Sequence, residues 1–173
     1  MAVKNSASAT QSTNEHSASG AASGTQGAAT KRAARKAQKP LVYSCSGCSN
    51  VAQLANDIAV WLSREGVAEM SCIAGVGGHV RSIVKTAKSG RDIIALDGCP
   101  LACVRNTLAQ HNIEPKWHIE LTRMGLKKDN QENCTLADTY HALDYVYQQI
   151  GLNPHETPNP LTRIPGNVNA SEA

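Results

Sequence analysis

The sequence predicts an α/β fold, a small three-layer sandwich in which about four mostly parallel strands carry helices on both faces in a Rossmann-like or flavodoxin-like arrangement. Strand-type apolar runs alternate with amphipathic helical patterns between residues 41 and 151. The run IIAL at 93–96 is apolar throughout, which is typical of a parallel strand buried on both faces. Strand–helix units joined by right-handed crossovers form a parallel sheet. We expect the flavodoxin-like strand order.

The first two units each combine a short strand with a helix. Leu41, Val42 and Tyr43 form a strand-type run, and apolar residues then recur at helical spacing until Gly66 provides a stop signal. The second unit contains a glycine-rich run at 75–78 that we expect to be flexible. The strands are predicted at 41–43 and 69–74, and the helices at 50–62 and 80–87.

The third and fourth units follow the same order. Pro100 comes soon after the apolar strand, at a position where the first turn of a helix tolerates proline. The last helix begins at Thr135, has Leu136 on its apolar side and is followed by Gly151 as a stop signal. The strands are predicted at 93–96 and 117–121, the helices at 100–111 and 135–150, and a polar loop at 123–133.

Two segments outside this pattern are predicted to be disordered. Residues 1–40 consist mostly of Ala, Ser, Thr, Gly, Asn and Gln, and they cannot bury enough apolar surface to offset the cost of ordering a backbone. Residues 152–173 are rich in Pro and Asn and form a second tail. The sequence therefore predicts a low-complexity tail at 1–40, a cysteine-rich domain at 41–151 and a C-terminal tail at 152–173.

The N-terminal tail ends in a basic cluster that supplies much of the formal net charge of +3. No aromatic residue is interleaved with the cluster, so it lacks the stacking platform that single-stranded nucleic acids use. We interpret it as a solvated arm, we do not expect nucleic acid as a partner, and the sequence identifies no protein partner. The cluster consists of Lys31, Arg32, Arg35, Lys36 and Lys39.

The sequence also bears on the cellular location. It lacks an N-terminal apolar run of about 7 to 15 residues, as in a secretory signal, and the roughly 18 apolar residues of a membrane span. We therefore expect a cytoplasmic protein without a membrane span. A mitochondrial transit peptide is the alternative, because residues 1–40 are rich in Ser, basic, and contain Glu15 as their only acid.

The six cysteines are the most informative residues of the chain. In the reducing cytoplasm they remain thiols, which makes them candidates for metal or redox chemistry. Parallel strands end at one edge of a sheet, where open α/β folds bind their ligands. Five cysteines are expected at this edge as metal ligands, and we call them the rim cysteines. They are Cys45 and Cys48 in the first strand-to-helix connection, Cys72 at the end of the second strand or just inside it, and Cys99 and Cys103 in the third connection.

The spacing within each cysteine pair favours a shared site. In C-S-G-C, Gly47 allows a turn tight enough for both sulfurs to face one centre, as half of a zinc or iron–sulfur site requires. In C-P-L-A-C the interval is about one helical turn, so Cys103 is expected above Cys99 on one helix face. Just before this run, Asp97 and Gly98 predict a turn. Gly98 would supply torsions closed to other residues, and Asp97 would accept hydrogen bonds from loop amides or a neighbouring group.

The other candidate ligands have no partner in the sequence. Cys134 precedes the last helix with no second ligand nearby, and we interpret it as a helix-start residue. His79 follows the glycine-rich run and is interpreted as a surface or capping residue. His111, His118 and His141 show no ligand spacing.

Four runs of the sequence resemble a known family: YSCSGCSNVAQLA at 43–55, SCIAGVGG at 71–78, DGCPLAC at 97–103 and LTRMGLKK at 121–128. Over about residues 41–150 the chain is similar to the DGC-domain family, which is described as zinc-binding. The resemblance implies a metal site formed by the rim cysteines. The family site is usually described as four cysteines, whereas this chain offers five candidates. The resemblance implies no particular reaction or substrate.

Two kinds of function fit these residues. The first expectation is a zinc–thiolate protein, in which four thiolates form a closed tetrahedral site without a position for substrate. The alternative is an iron–sulfur, thiol-redox or sulfur-transfer protein that uses the same cysteines, because soft thiolates bind iron as well as zinc. The fifth thiol has no use in a purely structural zinc site and favours the alternative. Whether the protein is an enzyme is left open.

Overall fold

The computed structural model describes residues 38–152, which form a parallel sheet covered by helices on both faces. Its strands are β1 (Leu41–Ser44), β2 (Glu69–Met70), β3 (Ile93–Asp97) and β4 (Trp117–Glu120). They lie in the order β2-β1-β3-β4, which confirms the predicted fold class and the flavodoxin-like strand order. Apart from residues 38–40 and 152, the predicted tails lie outside the described residues.

The helices divide into two layers. The chain moves from β1 to β2 in one direction and from β2 back across to β3 in the other, so right-handed crossovers place the intervening helices on opposite faces. The first helix packs against the last, and the three middle helices share the other face. None of the described helices combines the length and apolar character needed to cross a membrane. The helices are α1 (Asn50–Arg64), α2 (Ile73–Gly77), α3 (Arg81–Ala87), α4 (Cys103–Ala109) and α5 (Leu136–Gln149), with a 3-10 turn at Leu121–Met124.

The two central strands form the middle of the hydrophobic core. β1 pairs with β3 from Leu41 opposite Ile93 to Ser44 opposite Leu96, and every residue of both strands is buried. This burial on both faces explains why their sequences are apolar rather than alternating. The strand pair therefore provides a rigid support for the connections that follow β1 and β3 at their carboxyl ends.

The glycine-rich run after β2 is helical, so the prediction of a flexible segment was wrong. Cys72 is the N-cap residue of α2, and its Sγ accepts a hydrogen bond from the Gly75 N–H at 3.4 Å. Cys72 therefore lies just beyond β2 and not at its end. Gly75 packs closely against Ile83, because an added Cβ would lie 2.3 Å from the Ile83 Cδ1 and that side chain would have to shift. The glycine lets α2 approach the side chain of α3 closely.

The last helix begins as predicted, with Thr135 as its N-cap. The Thr135 hydroxyl accepts a hydrogen bond from the Asp138 N–H at 3.1 Å, while the Asp138 carboxylate accepts from the Thr135 N–H at 2.8 Å. Leu136 was expected on the apolar side of the helix, but it is 76% exposed and that prediction was wrong. The physical reason is its position in the first turn, beyond the part of the helix that contacts the core. The buried residues are Ala142, Leu143, Val146 and Tyr147.

The capping box makes the stability of α5 depend on acid. The hydroxyl and backbone N–H of Thr135 hold the pKa of Asp138 below its usual value of 3.8. A lowered pKa means that this stabilisation is complete above the usual value and is lost as pH falls through the pKa of the folded state. We expect Asp138→Asn to flatten the acid decline in the free energy of unfolding, measured by urea denaturation across this range.

The matched control is Asp144→Asn, on the exposed face of the same helix. The carboxylate of Asp144 takes no part in the capping box, so its replacement should leave the acid decline unchanged. Equal acid profiles for the two variants would contradict the assigned role of Asp138.

Candidate thiol site at the carboxyl edge of the sheet

The strand order reverses between β1 and β3, and open α/β sheets bind their ligands at the carboxyl ends of the two strands that flank such a reversal. The connection after β1 contains Cys45 and Cys48. The connection after β3 contains Cys99 and leads to Cys103, the first residue of α4. The topology thus brings two pairs of rim cysteines to the strand-order reversal. Cys72 follows β2, one strand farther out at the same edge.

Cys45 belongs both to the core and to the site. Its N–H donates to the Leu96 carbonyl at 2.9 Å and extends the pairing of β1 with β3 by one residue. Its side chain is 7% exposed, and its Sγ accepts a hydrogen bond from the Gly98 N–H at 3.1 Å. Burial raises the pKa of this thiol to about 11, the Gly98 N–H opposes that rise, and the charges of Asp97, Cys103 and Cys99 add to it. In the metal-free protein Cys45 is therefore a protonated thiol at neutral pH.

Gly98 is needed for close packing rather than for unusual torsions, which corrects the sequence-based explanation. The described glycines with positive φ are Gly66, Gly90, Gly125 and Gly151, so Gly98 lies outside the left-handed region. A Cβ added at Gly98 would lie 2.6 Å from the Val51 carbonyl oxygen and 2.9 Å from the Ala52 nitrogen. Only glycine allows the connection after β3 to lie directly against the first turn of α1.

The interval between Cys99 and Cys103 is a turn and not a helix, so the prediction of two thiols stacked on one helix face was wrong. The Cys99 carbonyl accepts a hydrogen bond from the Ala102 N–H at 3.0 Å. Ala102 then adopts a left-handed conformation with a φ of 47°, which costs a residue with a Cβ roughly 1–2 kcal/mol. The helix begins only at Cys103. This turn projects Cys103 into solvent and leaves Cys99 partly buried.

Asp97 replaces the missing side-chain cap of α4. Ala102, the N-cap residue, has no side chain that can accept a hydrogen bond. The Asp97 Oδ1 accepts from the Val104 N–H at 2.8 Å, and its Oδ2 accepts from the Arg105 N–H at 3.3 Å. Asp97 is 1% exposed, so these bonds also compensate for the burial of its charge. Asp97 was expected to accept hydrogen bonds from loop amides or a neighbouring group; it does accept them from amides, but these belong to the first turn of α4 and not to a loop.

His118 is part of this site, although the sequence analysis did not select it. Its Nε2–H donates to the Asp97 Oδ2 at 2.9 Å. In the parallel pairing of β3 with β4, His118 lies opposite Ala95 and Glu120 lies opposite Asp97, so the histidine and the aspartate share one face of the sheet. The available signal was the alternation in W-H-I-E, which puts two polar side chains on one face of a strand.

Two polar side chains of α1 fix the surroundings of Cys48. Gln53 donates through its Nε2 to the Gly47 carbonyl and so holds the connection after β1. Asn50 binds the loop that follows β4: its Nδ2 donates to the Lys127 carbonyl at 3.1 Å, and its Oδ1 accepts from the Asp129 N–H at 2.8 Å. Cys48 itself is exposed. The loop of the fourth unit is therefore fastened beside an accessible thiol.

The remaining sequence candidates lie apart from this group. Cys134 directly precedes the N-cap of α5, and partial burial raises the pKa of its thiol. His79 has a φ of 56°, and its ring centre lies 4.9 Å from that of His111. The His111 Nε2–H donates to the Val76 carbonyl at 2.9 Å, within the core between α2 and α4. Their contacts indicate structural roles.

Between residues 38 and 152, no three Cys, His, Asp or Glu side chains are grouped closely enough to hold a metal ion. The identity of the rim cysteines as ligands therefore stays a prediction. The arrangement offers a buried thiol, a half-buried thiol and three exposed thiols on one edge of the sheet. Such thiols can take up a soft metal or react with each other and with small sulfur compounds.

Comparison with known proteins identifies the family of this chain. The family model described as the DGC domain matches residues 41–146. The chain belongs to the DGC-domain family. A similar protein is the anaerobic and virulence modulator AnvM of Pseudomonas aeruginosa, which is 61% identical over 99 residues, covering 57% of this chain and 76% of AnvM. No solved structure matches the chain. The Asp-Gly-Cys motif of the family name is the end of β3, the packing glycine and the first thiol of the turn.

Replacing Gly98 tests the close approach of the two connections. We expect Gly98→Ala to lower the free energy of unfolding by about 3 kcal/mol, because the new methyl group meets backbone atoms of α1 that cannot move independently. The measurement is chemical denaturation of the reduced protein. Gly47→Ala is the control, since a Cβ there would meet only the Ala52 Cβ at 3.9 Å. Similar losses in both variants would refute the packing role.

The buried thiol predicts an alkaline loss of stability. The unfolded chain ionises Cys45 near the usual value of 9.0, whereas the folded protein keeps it protonated up to about 11. Its contribution is therefore complete below the usual value and is lost as pH rises through the folded pKa, by on the order of 2 kcal/mol. We expect Cys45→Ser to remove this part of the decline in reduced, metal-free protein. Parallel alkaline profiles for the two proteins would disprove it.

Proposed function

We propose that four of the five rim cysteines bind a soft divalent metal ion, zinc(II) in the first place. The observation that carries the proposal is the contact between the two connections that contain these thiols: the N–H of Gly98, which directly precedes Cys99, donates a hydrogen bond to the Cys45 Sγ at 3.1 Å. Cys48 follows Cys45 in the same short connection. The four thiols come from two connections at one edge of the sheet, and thiolate is the donor type that zinc prefers in closed sites.

The proposed ligands are the two pairs at the strand-order reversal, Cys45 with Cys48 and Cys99 with Cys103. Cys72 lies one strand farther out and already accepts a hydrogen bond from Gly75 as a helix cap, so we assign it no ligand role in this site. Bound zinc would supply a positive charge that links the connections after β1 and β3 and replaces the proton of Cys45. Such a site would either stabilise the fold or serve in metal handling, and neither role requires a substrate.

The second candidate is thiol chemistry without a resident metal. Cys48 and Cys103 are exposed and belong to no metal-holding group of three within the described part of the chain. Exposed thiols close to a turn in strained backbone are suited to disulfide exchange or to carrying sulfur. An iron–sulfur cluster would use the same cysteines as zinc, since both prefer thiolate ligands.

We further propose that the protein has a regulatory role and acts in the cytoplasm. The name of the relative AnvM describes a modulator of anaerobic and virulence functions. Thiols are kept reduced in the cytoplasm, and a site made of thiols changes its state when the supply of metal or oxidant changes. A modulating role is therefore consistent with the chemistry of this edge of the sheet. The metal ion is the proposed partner.

The test begins with protein purified without oxygen. We expect one zinc per chain, no visible absorption and fewer free thiols than the metal-free protein has. Cys103→Ser should weaken zinc binding by more than about tenfold in competition with a chromophoric chelator, because a lost ligand costs more than a lost supporting residue. It should also remove the rise in melting temperature that zinc gives to the wild-type protein.

Cys134→Ser and Cys72→Ser are the controls, and both should bind zinc like the wild-type protein. Zinc binding that survives Cys103→Ser and Cys99→Ser unchanged would contradict the proposed ligand set. Iron and inorganic sulfide in the purified protein would show that the site binds an iron–sulfur cluster and not zinc. Metal-free protein that binds no zinc and has every thiol free to react would favour thiol chemistry.

A further inference from the structure

The Asp97 carboxylate joins three elements of the fold. It lies at the end of β3, accepts hydrogen bonds from the Val104 and Arg105 N–H groups at the start of α4, and accepts a third from His118 on β4. The His118 side chain is 20% exposed, whereas that of Asp97 is 1% exposed. A buried carboxylate makes strong bonds to such donors, because little water competes for its oxygens.

The start of α4 depends on this carboxylate more than most helix ends do. The helix spans seven residues, and its N-cap, Ala102, is left-handed and has no side chain that can cap the helix. Both side-chain hydrogen bonds to its first amides come from Asp97. The Arg105 bond uses the same Oδ2 that His118 holds, at 3.3 Å against 2.9 Å for the histidine. The orientation of that oxygen is therefore set from β4.

We infer that His118 is a positioning residue of the thiol site. By holding the Asp97 Oδ2, it keeps the carboxylate turned toward Val104 and Arg105, and so fixes the turn that carries Cys99 and the helix start that carries Cys103. The inference rests on the proposed function only in treating these two thiols as functional. The interaction needs an N–H donor at the position of the histidine Nε2, and no change of protonation is involved.

Two amide variants test this requirement. The Gln amide can place its N–H close to the position of the histidine Nε2, whereas the shorter Asn side chain cannot reach it. We expect His118→Asn to increase hydrogen exchange at the Val104 and Arg105 amides at least about tenfold, the effect of losing a bond to a charged group. His118→Gln should restore most of the protection. His141→Asn, on the exposed face of α5, should change neither amide.

The second readout is the rate at which Cys103 reacts with a maleimide in reduced, metal-free protein. We expect His118→Asn to change this rate at least several-fold and His118→Gln to return it toward the wild-type value. Cys134 serves as the internal reference, because it precedes α5 and is not among the hydrogen-bond partners of Asp97. Its rate should stay constant.

The result that overturns the inference is equal behaviour of His118→Asn and the wild-type protein in both measurements. Equal effects of Asn and Gln would also overturn it, since the ring and not the hydrogen bond would then matter. A rise in exchange that includes the amides of β1, or a variant that does not fold, would assign His118 a general structural role instead. Zinc titration of the wild-type protein separates the two proposals. If the wild-type protein binds no zinc but His118→Asn shows the expected rise in exchange, only the metal function is refuted. If the wild-type protein binds zinc but His118→Asn leaves the exchange unchanged, only the positioning role is refuted.

Discussion

The close approach of the connection after β3 to the first turn of α1 is the contact on which the rest of the site depends. Gly98 lies so near the Val51 carbonyl that no other residue fits there. Because the two chains touch, the Gly98 N–H reaches the Cys45 sulfur, and Cys45 remains in register with the end of β3. The Asp-Gly-Cys motif is thus required for the packing of this edge of the sheet, whatever chemistry its cysteine performs.

Burial at this point has different consequences for Cys45 and for Asp97. Cys45 stabilises the metal-free fold as a protonated thiol, and a metal ion has to displace that proton before it can bind the sulfur. Asp97 carries a charge into the core, and the N–H groups that compensate for it come from α4 and β4. The same carboxylate therefore links the start of α4, where Cys103 lies, to His118 at the end of the sheet.

The site combines rigid and accessible parts. Cys45 is fixed by the central strands, whereas Cys48 and Cys103 lie on exposed segments that are held at their bases by Gln53 and Asp97. A soft metal can draw accessible thiols toward a fixed one, and a sulfur reagent can reach them directly. Both proposed functions of this DGC-domain protein depend on this combination of a fixed thiol and accessible thiols. They differ in whether the thiols bind a metal or react with one another.

The sequence by itself determined the strand order, the longer helices and the edge at which the cysteines gather. Apolar runs such as 93–96 and helical spacing report on burial directly, and the capping box at Thr135 is a local signal, so the strand order and the start of α5 were predictable. Only the tertiary structure decided how the thiols are presented. The left-handed Ala102, the use of Gly98 for packing and the bond from His118 to Asp97 each depend on atoms brought together from distant segments. Spacing along a chain carries no information about such contacts, because they are set by how the strands and helices pack.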